Sequence, residues 1–249
     1  MVASSLMAHT IGYDLVNIPG VILSPANSNS IASLNQVPSG DLLALLPYSL
    51  VLQNNTQHTI VAYTLYLSFV DHVGHSSGHN RMYFNLESKS NGMEVEPGSV
   101  RLVTPIDALH PSTNVTGAGM GPGAATMLTS RIAAQKRVTV SLDLLVFDTG
   151  QVFGKDEFQT LSYLRGYISG GQEAANLVEI GLSGGSSLAN IAAQLGSLAR
   201  RTRNTADPDA MARASRSQRL AQIAGTGSLD RLRSEIQSIR GTRTWNFYR

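Results

Sequence analysis

Cysteine is absent from the 249-residue chain, which excludes disulfide frameworks, thiolate zinc sites, iron–sulfur clusters and cysteine nucleophiles. Charge is sparse: 14% of residues are charged, against roughly a quarter in an average soluble protein, so the polar surface must come mostly from Ser, Thr, Asn, Gln and Gly. Aromatic residues make up 6%, with a single tryptophan. No apolar run approaches the roughly 18 residues of a membrane-spanning helix, and no membrane span is expected. The first 20 residues hold no basic region, no sustained apolar stretch and no clear cleavage site. They do not read as a signal peptide, and a cytoplasmic location is expected if the written start is the true one, an extracytoplasmic one remaining open if it is not.

What is present is a hydrophobic content of 42%, enough for a packed interior. The net charge of +2 hides an asymmetry: residues 1–199 carry 8 Lys and Arg against 13 Asp and Glu, whereas residues 200–249 carry 11 Arg against 4 acids. From Tyr48 to Phe153 apolar residues alternate with polar ones, the period of half-buried strands. Val61, Tyr63, Leu65, Leu67 and Phe69 form one such series, and Val138, Val140, Leu142, Leu144 and Val146 a second. Shorter strands are expected at 48–53, 81–86 and 99–104, separated by turn chemistry at Asn54-Asn55-Thr56, Asn91-Gly92, Pro97-Gly98 and Thr149-Gly150.

Over roughly 39–153 this pattern resembles the bacterial immunoglobulin-like or fibronectin-type sandwiches. The turn and aromatic-rich strand at Asn54–Phe69, the Pro97-Gly98 turn leading into Val100–Thr104, and the hairpin Val138–Phe153 carry the resemblance. The bridging cysteines of antibody domains are missing, and Trp245 lies outside the segment. The resemblance implies a binding or structural module and fixes no ligand.

After Phe153 the period becomes helical. Asp156 is placed to cap a helix bearing Phe158, Leu161, Leu164 and Ile168, broken at Gly170-Gly171 and followed by a second piece, 172–180. Ser186 or Ser187 caps a helix striped by Leu188, Ile191, Ala192, Leu195 and Leu198. Asp207-Pro208 opens another, and Ser228 a last one that stops at Gly241. The expected fold is therefore mainly β, an immunoglobulin-like antiparallel β-sandwich (39–155) behind an irregular arm (1–38) and ahead of a helical, arginine-rich C-terminal region (156–249).

Three motifs imitate catalytic signatures. Gly181-Leu182-Ser183-Gly184-Gly185 matches the nucleophile elbow, but all six histidines precede Ser183, leaving no base downstream. Asp148-Thr149-Gly150 resembles the aspartic-protease signature, yet it occurs once and is followed by Gln151 where that pattern has Ser or Ala. A tight turn explains it. Gly119-Met120-Gly121-Pro122-Gly123-Ala124 fits a loose dinucleotide fingerprint without the buried strand that should precede it; a Gly-rich loop with a short helix near 124–134 is expected instead. Asn54-Asn55-Thr56 and Asn114-Val115-Thr116 match the glycosylation pattern.

Candidate sites remain in two places. Asp71-His72-Val73-Gly74-His75-Ser76-Ser77-Gly78-His79 gathers His72, His75 and His79 in a loop, ligand types suited to zinc, copper or nickel. The C-terminal region offers Arg200, Arg201, Arg213, Arg216 and Arg219 to an anionic partner, and Trp245, Phe247 and Tyr248 to docking on the folded body. The favoured reading is a non-enzymatic binding or structural module without a cofactor, its partner a protein, self or other. The alternatives are a metal-dependent enzyme built on the histidine loop and a nucleic-acid-binding protein acting through the basic tail.

Overall fold

The computed structural model describes residues 9–27, 40–86, 94–106, 123–242 and 246–248. The chain divides into two compact units, one comprising Met1–Phe84, Met93–Lys155 and Tyr248–Arg249, the other Asn85–Gly92 and Asp156–Phe247.

The first unit contains strands β1 (Thr10–Asp14), β2 (Val21–Pro25), β3 (Leu50–Asn54), β4 (Ile60–Val70), β5 (Ser76–Phe84), β6 (Val100–Val103), β7 (Arg137–Phe147) and β8 (Val152–Gly154). A 3-10 helix (Gly40–Tyr48) and helix α1 (Ala124–Ala133) interrupt them. One sheet runs β1-β7-β4-β5, and the other is the three-stranded β2-β3-β6. β7 pairs along one side with β4, and on the other with parallel β1 at Thr10–Asp14 and antiparallel β8 at Val152–Gly154. Both sheets feed one interior: Leu50 and Leu52 of β3, Tyr63, Leu65, Leu67 and Phe69 of β4, Val138 and Val140 of β7, and Leu128 and Ile132 of α1.

The long strands appear where the alternation places them, although alternation describes only half of each. β4 is buried on both faces from Ile60 to Leu65 and alternates only beyond it; β7 alternates from Arg137 to Ser141 and is buried throughout from Leu142. Register shifts separate Thr64 from Leu65 and Ile60 from Ala62. An extra residue at such a bulge re-aims the side chains that follow it, so a single period cannot run through the pair.

The mainly β sandwich is overturned. The structure is about 43% helical and 29% strand, with two sheets and several helices, and a 3-10 helix at Gly40–Tyr48 stands inside the sandwich segment in addition to the short helix expected near 124–134. α1, the short helix expected near 124–134, lies between β6 and β7 with Ala124, Ala125, Leu128 and Ile132 buried. The arm expected to be irregular contributes β1 and β2, five residues each, too few to display a period. One pairing, β1 with β7, is parallel, so the sheets are not purely antiparallel.

The second unit contains α2 (Thr160–Ser183), α3 (Leu188–Thr202), α4 (Pro208–Gly225) and α5 (Leu229–Arg240). Three caps form as the sequence demands: Ser187 accepts from the Asn190 amide, Asp207 from that of Asp209, and Ser228 from that of Arg231. α2 does not break at Gly170-Gly171. It is one helix of 24 residues, because glycine here serves a close helix crossing. A Cβ on Gly170 would lie 2.5 Å from the Arg213 Cα, and one on Gly166 would overlap the Asp209 backbone. Gly166, Gly170 and Ala174 recur every four residues, giving α2 a smooth face on which α4 lies. Gln159, not Asp156, occupies the N-cap position, while Asp156 Oδ1 accepts from the Leu161 amide at 3.3 Å.

Candidate functional site

Two of the three catalytic look-alikes, Asp148-Thr149-Gly150 and Gly181–Gly185, are turn and helix-end geometry. Asp148, Thr149 and Gly150 make the β7–β8 turn, closed by the Gly150 amide on the Phe147 carbonyl at 2.9 Å with Gly150 at φ 89°. Asp148 faces His58 at 3.5 Å, not a second Asp-Thr-Gly. Ser183 ends α2 and Gly184 caps it, the link to α3 closing through the Ser186 amide on the Gly181 carbonyl at 2.9 Å. Asn54 is fully buried and its amide donates to the carbonyls of His58 and Val95, both at 2.8 Å; no glycan fits there. Asn114 and Gly119–Pro122 lie outside the described residues.

The three histidines are distributed between a turn and a strand. Asp71 organises the turn: its Oδ1 accepts from the amides of Val73, Gly74 and His75 at 2.7–2.8 Å. These bonds, led by that of His75, hold the Asp71 carboxyl below its ordinary range. His75 Nδ1 is 3.1 Å from Asp71 Oδ2, and His72 is exposed. His79 instead belongs to β5, opposite Leu67, with Nε2 donating to the Pro105 carbonyl at 2.9 Å. Burial pushes its imidazole below the usual value, assisted by the Arg131 and Arg81 guanidiniums and opposed by the Pro105 bond. Among the described residues no group of three or more His, Cys, Asp or Glu is disposed to hold a metal ion.

The arginines separate into two sets. Arg213 binds Asp209 at 2.5 Å and lies 3.9 Å from Glu173; Arg219 forks onto Glu235 at 2.6 and 3.1 Å. Arg216 is 2% exposed, donates to the Tyr167 hydroxyl at 2.7 Å and sits over that ring, with Glu235 at 3.7 Å. Arg240 reaches Gln172, Asn176 and Glu179 of α2, and its hydrogen bonds lower the Glu179 carboxyl. Glu179, which binds Arg240, and Glu173, the more distant of the two acids near Arg213, lie before residue 200. The charge asymmetry of the sequence is therefore offset only in part within the helical unit. Arg200 and Arg201, by contrast, are exposed at the end of α3, as is Arg203 beyond it.

Of the terminal aromatics, Trp245 lies outside the described residues. Phe247 is half-buried with the Arg165 guanidinium 5.9 Å from its ring centre. Tyr248 docks through backbone, not through its ring: its carbonyl accepts from the Val152 amide at 2.8 Å and its amide donates to Gly150 at 3.1 Å, while the residue stays 51% exposed.

A surface that the sequence reading missed lies on the three-stranded sheet. Register places Ile22, Gln53 and Val100 in one row across β2, β3 and β6. Val21 and Leu23 on the opposite side join the main interior, so this row faces outward, with Ile22 50% and Val100 40% exposed. The next row, Ser24, Val51 and Leu102, carries a small cluster with Ala26 and Leu46. The signal was available in Val21-Ile22-Leu23, apolar on both alternating positions, which a strand with one wet face has no need to be.

No protein-family model, curated protein or solved structure matches the chain. No described helix is long and apolar enough to cross a membrane.

Proposed function

We propose that this chain is a non-enzymatic interaction module that associates with a second copy of itself through the outer face of the β2-β3-β6 sheet. The observation carrying the reading is the row Ile22, Gln53 and Val100, two half-exposed branched side chains flanking an amide. Scattered exposed apolar residues are ordinary, whereas two branched side chains held on either side of an amide in one register row make a self-complementary strip of the kind that a second copy covers. The arrangement suits a two-fold interface. An amide carries both donor and acceptor, so Gln53 at the centre can meet its own copy while Ile22 of one protomer meets Val100 of the other, an isologous contact. β2 and β6 each pair only with β3 among the described strands, leaving the face framed by two edges. Sedimentation equilibrium over a concentration series tests this. A monomer–dimer equilibrium is expected, weakened at least about tenfold in the Ile22→Lys/Val100→Lys double variant, since burying an unpaired ammonium costs well over 1.4 kcal/mol. A wild-type chain monomeric at every concentration, or a dimer indifferent to the double substitution, would overturn it.

A further inference from the structure

The exposed arginines at the end of α3 form a second surface, on the helical unit and independent of the proposed self-association. α3 carries no Asp or Glu from Leu188 to Thr202, so Arg200 and Arg201 have no acid on their own helix. The carboxylates that follow are engaged: Asp207 caps α4 through the Asp209 amide at 3.0 Å, and Asp209 binds Arg213 at 2.5 Å. The α3 dipole offers only about half a negative charge at its C-terminus and Asp207 one more, which leaves Arg200, Arg201 and Arg203 with an excess of positive charge. These cations are held together on one helix end and its cap, where each raises the local potential felt by the others.

The residues around them decide the kind of partner. Leu198 and Ala199 are buried, and the exposed positions beyond the arginines are Asn204, Thr205, Ala206 and Asp207. A protein interface needs an apolar or aromatic anchor at its centre, and none is offered here. Guanidinium forks beside amide and hydroxyl groups are instead the set that grips phosphodiester oxygens. Residues 188–207 hold no aromatic side chain, so this surface reads backbone charge and not stacked bases. We propose that Arg200, Arg201 and Arg203 dock the phosphodiester backbone of a nucleic acid, without sequence preference.

The test uses the full chain, a fluorescein-labelled 20-nucleotide single strand and the matching duplex, with anisotropy read at several salt concentrations. Polyglutamate of equal charge serves as competitor. Replacing Arg200, Arg201 and Arg203 together by Gln should weaken binding at least about tenfold and lower the salt slope by about 2 on the single strand and about 3 on the duplex, one phosphate neutralised, and its counterions released, per arginine. The Lys triple variant should keep most of the affinity, and all three proteins should melt alike because the side chains are exposed. The relative affinity of the two oligonucleotides identifies which form is preferred. Binding unchanged in the Gln variant, or polyglutamate competing as well as the oligonucleotide, overturns the proposal.

Discussion

In the strand-rich unit the deepest side chains are large: Tyr63, Leu65, Leu67 and Phe69 are at most 1% exposed, stacked along a single strand. In the helical unit the same depth is shared: Leu164, Ile191, Leu195, Leu220 and Leu232 lie there beside Ala174, Ala175, Ala212 and Ala224, two glycines at a helix crossing, and one arginine. The first unit gains cohesion by removing wide apolar surfaces from water, at roughly 25 cal/mol per Å2. The second brings backbones close, so dispersion between helices replaces part of the missing side-chain volume, and a set of arginine–carboxylate contacts ties α4 and α5 to one another and to α2. Charge scarcity in the sequence therefore has opposite meanings in the two units. Where the strands pack, charge is unnecessary. Where the helices pack, Glu173, Glu179, Asp209 and Glu235 are spent internally, and Arg200, Arg201 and Arg203 at α3's end are left exposed, as are Arg231 and Arg233 on α5.

The contrast is broken most severely by enlarging the crossing. Gly170→Val sets a branched side chain against the Arg213 backbone, which cannot rotate away, and should cost about 4 kcal/mol, beyond the usual overpacking penalty of about 1–3 kcal/mol. Leu65→Ala in the strand-rich unit should cost about 3 kcal/mol through a cavity between β4 and its neighbours. Urea titration measures both, and the first exceeding the second is the expected order. Arg216→Met keeps the stem but removes the guanidinium from Tyr167 and Glu235. Glu235 still holds Arg219, so a smaller loss of about 2 kcal/mol is expected, below the figure for a buried pair left wholly broken.

Acid should separate the units more gently. His79 is held below the ordinary imidazole value, so the unfolded chain takes up a proton that the folded chain resists. Stability is full above about pH 6.5 and falls as the pH drops below it, through the folded value. Glu179 is held below the ordinary carboxyl value by Arg240; its contribution persists above about pH 4.3 and is lost only on further acidification. Between pH 7.5 and 5.5 the melting of wild type should therefore decline, and in His79→Gln, whose amide can still donate to Pro105, the decline should shrink. An identical decline in both proteins would show that His79 is not its source.

How much of this was legible depended on whether a feature is local. The caps at Ser187, Asp207 and Ser228 and the β7–β8 turn were readable because each is fixed within a few residues by side-chain and turn chemistry. The long strands at 60–70 and 137–147 were readable from their alternating ends. β1 and β2 were not, since a five-residue strand acquires meaning only from the partner it finds. Gly170-Gly171 was misread as a break for the same reason: glycine weakens an isolated helix, and only the presence of α4 turns it into a contact. The arginines showed their composition in sequence but not their allegiance. Arg213, Arg216 and Arg219 look like Arg200 and Arg201 until Glu235, Asp209 and Tyr167 are placed beside them. The Ile22 and Val100 row requires a register that joins residues 78 positions apart, which no local pattern supplies.

The self-association claim is tested most directly by amide hydrogen exchange measured at low and at high protein concentration. Slower exchange at high concentration confined to Ile22–Ser24 and Val100–Leu102 is the predicted result. Exchange that does not vary with concentration, or protection that arises at β5 or on the helices while those segments stay unchanged, would contradict it.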